Sequence, residues 1–236
     1  MDVALERSSL ISVIIPTLNE ALSLPGLLEA LAGETASHEV IVVDGGSTDG
    51  TGDIARGAGA QLIAAPRGRG AQLAAGVAAA RGEVLFFLHA DTRLNAGALA
   101  AISCALLRHP AVIGGNFRLL FDGDDDFSRW LDGFYERIRA RGIYYGDSGI
   151  WVRRAAYEAL GGIRPLALME DYDMVRRLER AGETLCIEAP ALITSSRRFS
   201  SRGKWRIVAG WLAIHLLFHL RVPPPLLARL YNSARS

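Results

Sequence analysis

Val84-Leu-Phe-Phe-Leu-His-Ala-Asp-Thr92 is the stretch whose reading decides the fold. Its apolar run, Val84 to Leu88, is too short for a helix and is bounded by polar residues. That is the pattern of a strand buried on both faces of a parallel sheet. In open α/β sheets ligands collect at the carboxyl ends of the strands, which is where His89 and Asp91 stand. Two residues apart on an extended segment, an imidazole and a carboxylate project the same way, so one divalent ion could touch both. The competing reading makes Asp91 and Thr92 the cap of a helix that starts near Asn95.

Upstream, the same grammar repeats. Leu10 to Ile15 is an apolar, β-branched run stopped by Pro16, and Ser23 with Pro25 opens a helix to about Ala32. Val40 to Val43 is a second strand, ended by Asp44, Gly45, Gly46 and Ser47, after which Thr48 or Asp49 caps a short helix. Gln61 to Ala65 is a weaker third strand, followed by an alanine-rich helix that runs to Arg81. Strict alternation of strand and helix predicts an α/β fold: a Rossmann-like, mostly parallel sheet with helices on both faces. Downstream the pattern loosens. A strand runs from Ala111 to Leu120, a helix from Phe127 to Arg141, and strands cover Ser148 to Val152 and Thr184 to Ile187, with a helix over Glu170 to Ala181. From Trp205 the chain is helical until Pro223 to Pro225 break it. The predicted organisation is one domain over residues 10–200 and a helical extension over 201–236, packed on it or at an interface.

The chain has 236 residues, half of them apolar, which suffices for a large core. A net charge of +1 argues against a general nucleic-acid binder. Cys104 and Cys186 match no metal or redox spacing and read as two buried thiols. The first ten residues carry Asp2, Glu6 and Arg7 and lack an apolar core, so no leader is expected. Ile207 to Leu220, interrupted by His215 and His219, falls short of the ~20 residues that span a bilayer. A cytoplasmic protein is expected, with Trp205, Val208, Trp211, Leu212, His215 and Leu216 forming an amphipathic face. That face packs on the domain or on a second copy, or touches the inner membrane surface to reach a lipid-linked acceptor. His215 and His219 suit either a metal or the polar edge of a core helix. Asp122, Asp124, Asp125 and Asp126 read as a solvated turn, with cation binding as the alternative.

Two loops combine into a nucleotide pocket. Pro16, Thr17, Asn19 and Glu20 lie above the first strand, and Asp44 to Thr51, with Ser47, above the second. Glycines let a backbone approach a ligand closely, while Asp and Asn offer the donor and acceptor pattern that a base edge or ribose requires. Arg67 and Arg69 stand between glycines at a helix start, suited to phosphate. Read as a dinucleotide fingerprint, that segment lacks its third glycine and follows the wrong strand. In the helix Glu170 to Ala181 the apolar stripe Met174, Val175 and Leu178 leads back to Asp171, a carboxylate facing inward as a base or serving only as a cap. Glu170, Asp173, Arg176 and Arg177 are expected to point elsewhere.

Taken together, Pro16 to Glu20, Asp44 to Thr51, His89 to Asp91 as a variant DxD motif, and Glu170 with Asp171 resemble a family 2 glycosyltransferase of the GT-A fold, over roughly residues 10 to 200. Within it, His-Ala-Asp-Thr and Gly146-Asp-Ser-Gly149 are similar to a bacterial subgroup associated with radical-SAM and selenodomain genes and assigned to arsenosugar biosynthesis. The resemblance implies that Pro16, Thr17, Asn19 and Glu20 line the nucleotide, Asp44 faces its base and Arg67 lies near it or its phosphates. It also implies that Asp91 binds Mn or Mg on the diphosphate and that Asp171 deprotonates the acceptor hydroxyl in an inverting displacement. Arg197, Arg198 and Phe199 resemble the family's later Arg-Trp-type motif near the diphosphate. Gly45 departs from the usual pair of acids. His89 departs from the first Asp of DxD, bringing no negative charge to hold the ion. The implied activity is transfer of a sugar, UDP-linked, from a nucleotide-sugar donor to a small-molecule or lipid-linked hydroxyl acceptor. The rivals are a nucleotidyltransferase and a non-catalytic nucleotide-sugar binder. Common to all is the expectation that Asn19, Asp44, Asp91 and Asp171 converge on one cavity.

Overall fold

In the computed structural model, which describes residues 9–196 and 203–233, alternate side chains of the central strands feed two cores. The strands are β1 (Ile11–Thr17), β2 (His38–Asp44), β3 (Gln61–Ala64) and β4 (Val84–Phe87). On one face Val13, Ile15, Val42 and Phe86 meet α1 (Leu24–Ala32), α4 (Ala98–Arg108) and α5 (Asp126–Arg139). On the other, Ile14, Ile41, Val43 and Phe87 meet α3 (Arg69–Ala79), α6 (Arg154–Ala159) and α7 (Glu170–Ala181). The short α2 (Thr51–Gly57) links β2 to β3. The period of two in these strands is the reason both faces need helices.

The sheet has seven strands in the order β3-β2-β1-β4-β6-β5-β7, where β5 is Val112–Phe121, β6 is Ile150–Arg153 and β7 is Glu183–Thr194. The first four run parallel. β6 then enters antiparallel between β4 and β5, and β7 lies parallel to β5. This reversal was not legible in the sequence, because an apolar run buried on both faces carries no mark of its direction. β7 is also longer than the expected Thr184 to Ile187. Its pairing with β5 shifts register between Phe117 and Leu119, so Pro190, which has no N–H to donate, falls in the irregular stretch.

Helix ends correct one local reading and add detail to two others. α4 is capped from a distance by Glu34, whose carboxylate accepts the amides of Gly97, Ala98 and Leu99 at 2.8–3.1 Å, and not by Asp91 or Thr92. In the acidic loop, Asp125 caps α5 through the Ser128 amide at 2.9 Å and Asp122 accepts the Ser196 amide at 2.6 Å. Pro224 does not merely end a helix. α8 (Lys204–His219) stops before it, and α9 (Pro224–Ser233) begins on it, as a proline with a preset φ allows.

α8 docks along two lines. Trp205 stacks edge-on against Phe127 and Trp130 of α5, with ring centroids 5.5 and 4.9 Å away. His215 Nδ1 lies 3.2 Å from the Tyr145 hydroxyl and His219 Nε2 lies 3.1 Å from that of Tyr172. The two histidines thus pair with tyrosines in the structure. Leu227 of α9 is buried with Met169, Tyr172 and Ile214. No helix among the described residues is long and apolar enough to cross a membrane.

Two predictions come from this packing. A Cβ on Gly76 of α3 would lie 2.4 Å from Ile14 Cγ2 and 3.0 Å from Val43 Cγ2, in a sheet that cannot yield. Gly76→Val should therefore cost roughly 1–3 kcal/mol in urea denaturation, and an unchanged midpoint would refute the close approach. Burial, and then the neighbouring His219 and Arg176, hold the His215 imidazole below its ordinary value. The unfolded chain takes up that proton near about pH 6.5 while the folded site resists it, so stability present above that pH is lost as pH falls through the lowered pKa. The melting temperature should drop between about pH 7.5 and 5.5 more steeply for the natural chain than for His215→Phe; parallel slopes would exclude this linkage.

Candidate active site

The carboxyl ends of β2, β1 and β4 form one edge, and two loops there are locked together before any ligand arrives. Asn19 adopts a left-handed φ of 57°. Its amide donates to Ser47 Oγ at 2.8 Å, and its Oδ1 accepts the Thr48 amide at 2.9 Å. The amides of Glu20 and Ala21 donate to Thr51 Oγ1 and Asp49 Oδ2 at 2.9 and 3.0 Å. Asp44 closes its own turn, accepting the amide and hydroxyl of Ser47, the latter at 2.5 Å. Asn19, Asp44 and Ser47 are therefore structural partners as well as candidate ligand contacts. Thr17 is buried and turned to the Val43 carbonyl at 3.4 Å, whereas Pro16 and Glu20 are half-buried and Arg67 is exposed.

Beneath the loops lies a residue that sequence reading missed. Gln72 of α3 is buried, and its Nε2 donates to the carbonyls of Thr17 and Val43, both at 2.8 Å, pinning the ends of β1 and β2. Nothing in an alanine-rich helix marks a glutamine as inward. A Cβ on Gly45 would come within 3.1 Å of that Nε2, which accounts for a glycine where the family resemblance leads one to expect an acid.

α3 begins with Arg69, which reaches across to the start of α7. Its Nε donates to Glu170 Oε1 at 2.6 Å, and Nη1 lies 3.2 Å from His89 Nε2. A guanidinium has only donors, so His89 accepts through Nε2 and carries its proton on Nδ1. In this arrangement the Nε2 lone pair faces the Arg69 guanidinium. Glu170 corrects the sequence expectation: it points inward and is 1% exposed. Burial pushes its carboxyl pKa up, Arg69 pulls it down and Asp171 adds to the upward push, leaving it raised. Periodicity assigned it to the outer face because an apolar stripe cannot register a charge that a distant arginine neutralises.

Asp171 sits where the stripe placed it. It is 9% exposed, and its Oδ2 accepts the Gly146 amide at 2.8 Å. A side chain on Gly146 would meet both His89 Nε2, at 2.8 Å from its Cβ, and Asp171 Oδ2, at 3.2 Å, so glycine keeps the gap between imidazole and carboxylate open. Next to it, buried Asp147 accepts from the Tyr135 hydroxyl at 3.2 Å.

Arg69, His89, Tyr145, Asp147 and Asp171 line one end of a cavity of about 310 Å³, within the ~300–1,000 Å³ of ligand sites. Tyr231 of α9 also reaches it, and further walls come from α5 and α8. Asn19, Asp44 and Asp91 do not line this cavity. Asn19 and Asp44 belong to the interlocked loops, and Asp91 is exposed just past β4. Arg198, with Arg197 and Phe199, lies outside the described residues. A separate cavity of about 320 Å³ beyond Tyr135 holds Arg139, whose guanidinium is engaged by Asn116 and Glu179; neither His89 nor Asp171 borders it. Among the described residues no cluster of three or more His, Cys, Asp or Glu is arranged to hold a metal ion.

Comparison with known proteins converges on one family. Residues 12–159 match the family described as Glycosyl transferase family 2. An uncharacterized glycosyltransferase of Mycobacterium tuberculosis is 36% identical over 109 residues, covering 46% of this chain and 49% of that protein. The chain thus spans about half the length of this relative. The PGL/p-HBAD biosynthesis glycosyltransferase of M. tuberculosis is 32% identical over 200 residues, covering 78% of this chain and 72% of that one. Among solved structures, the mannosyltransferase PcManGT from Pyrobaculum calidifontis, in complex with GDP-Man and Mn2+, superposes with a TM-score of 0.66 at 24% identity, covering 97% and 70% of the two chains. M. tuberculosis glucosyl-3-phosphoglycerate synthase, with Mn2+, UDP-Glc and phosphoglyceric acid, superposes at 0.59 and 18% identity over 79% and 71%. At these identities the structures speak for the fold alone, a GT-A architecture. The chain, by the match over residues 12–159 and the 32% identity that spans most of its length, belongs to glycosyltransferase family 2.

Proposed function

We propose that this chain moves a sugar from a nucleoside-diphosphate donor, UDP-linked, to the hydroxyl of an acceptor, with inversion at the anomeric carbon. The observation that carries the reading is the placement of Asp171: a nearly buried carboxylate at a helix amino terminus, held by the Gly146 amide, at the end of a ligand-sized cavity. In that position it accepts the acceptor proton, a role worth ~100- to 10,000-fold in rate.

The donor occupies the edge above β1 and β2, where the interlocked loops present Pro16, Asn19, Glu20, Asp44 and Ser47, with the Thr17 backbone beneath. Arg67 and Arg69 face its phosphates. His89 and Asp91 offer one imidazole and one carboxylate to Mn2+ or Mg2+, a sparse set that a diphosphate would complete. Such an ion, when bound, would supply stabilisation of the charge on the departing nucleoside diphosphate. The Arg69 contact to His89 Nε2 must open before that imidazole can serve as a ligand. Support for donor and ion comes from neighbours whose structures hold GDP-Man or UDP-Glc with Mn2+. Residues 10–200 are the transferase unit and 201–236 its extension, whose α8 and α9 add walls to the cavity. His89-Ala-Asp-Thr92 and Gly146-Asp-Ser-Gly149 favour the radical-SAM and selenodomain-associated subgroup.

Asp171→Asn should lower transfer ~100- to 10,000-fold while UDP-sugar binding, read by thermal shift, stays within about twofold. Equal loss of both would remove Asp171 as the base. Asp91→Ala should raise the Mn2+ concentration needed for half-maximal donor turnover by about tenfold or more; an unchanged titration places Asp91 outside the site. Release of UDP from UDP-sugar supports the reading, whereas pyrophosphate from a nucleoside triphosphate would replace it with nucleotidyl transfer.

A further inference from the structure

The cavity that Asp171 lines is bounded by apolar side chains as well as charged ones: Phe134 and Ile138 of α5 and Val208, Trp211 and Leu212 of α8 also form its walls. An alkyl chain gains from burial along such a wall and brings no hydroxyl there that would need a partner. The apolar surface also continues past the mouth. Trp205, Leu212, Leu216 and Leu220 fall at spacings of seven, four and four on one stripe of α8, and are 62, 58, 61 and 66% exposed. Leu212 belongs to both the stripe and the cavity wall, so the two surfaces are continuous.

We propose that the acceptor is an amphiphilic alcohol, an inference that rests on the transferase reading above. Its reacting hydroxyl sits at Asp171, and its alkyl body runs between α5 and α8 and out along the exposed leucines. In the transfer step the acceptor oxygen bonds to the anomeric carbon as the bond from that carbon to the diphosphate oxygen breaks. The acceptor proton goes to Asp171, and the bonding electron pair leaves with the nucleoside diphosphate. The apolar wall contributes binding of the remote chain, which positions the hydroxyl against the base.

Primary alcohols of four, six and eight carbons test the proposal on the full chain, by calorimetry and by the change in tryptophan fluorescence. Affinity is expected to rise about three- to fourfold with each added methylene. Leu212→Glu, at a half-exposed position, should weaken octanol binding about tenfold or more while Leu212→Met preserves it, with circular dichroism checking that both are folded. Affinity indifferent to chain length, or a Leu212→Glu variant that binds octanol like the natural chain, overturns the proposal. Alcohol binding needs no donor, so the two readings fail separately. Transfer to glycerol without alkanol binding removes the amphiphile and leaves the transferase. Chain-length-dependent binding with no turnover of any sugar nucleotide removes the transferase, and with it the acceptor role.

Discussion

Two consecutive carboxylates, Glu170 and Asp171, are buried at the start of α7, and the active-site end of the molecule is arranged around making that tolerable. An unpaired buried charge costs several kcal/mol, a large fraction of the ~5–15 kcal/mol that holds a typical domain folded. Here the two are treated differently. Glu170 is met by the Arg69 guanidinium, whose side chain is still 41% exposed, so the pair is only partly withdrawn from water. Asp171 is met instead by the backbone amides of Gly146 and Tyr172, which donate to its two oxygens. Arg69 thus absorbs one carboxylate and leaves the other available for chemistry.

That solution constrains its surroundings. Because Arg69 also contacts His89, the α3 start, the end of β4 and the α7 start form one electrostatic unit whose contacts bridge 20 and 101 residues of sequence. Gly146 must lack a side chain for the imidazole and carboxylate to face a common space. On the other side of β1, Gln72 and the locked 19–21 and 47–51 loops hold the strand ends rigid, a preorganisation that suits recognition of a ligand by backbone and short polar groups. The extension contributes from the far side: α8 supplies the apolar wall and α9 brings Tyr231 to the charged end.

Much of this was legible in order along the chain. Continuous apolar runs, proline and glycine punctuation and the α7 stripe located the first four strands, most helices and the inward-facing Asp171, because burial on a regular element leaves a trace in the order of apolar residues. What left no trace was any group satisfied by a partner distant in sequence. Glu170 and Gln72 are polar residues on helices and read as solvent-facing until Arg69 and the strand carbonyls appear beside them. Glu34 likewise caps a helix more than sixty residues away, which displaced the expected cap at Asp91 and Thr92.

The one-dimensional pattern was enough to establish an α/β sheet with helices on both faces, polar loops at the ends of β1, β2 and β4, and a carboxylate turned inward on α7. Those features follow from each residue's own chemistry and its near neighbours. Strand order beyond β4, the antiparallel insertion of β6, the joining of His89, Arg69, Glu170 and Asp171, and the split between an interlocked polar edge and an apolar cavity emerged only in three dimensions. Each depends on which surfaces meet after the chain collapses, and pairing energies between distant segments are not written in any local spacing.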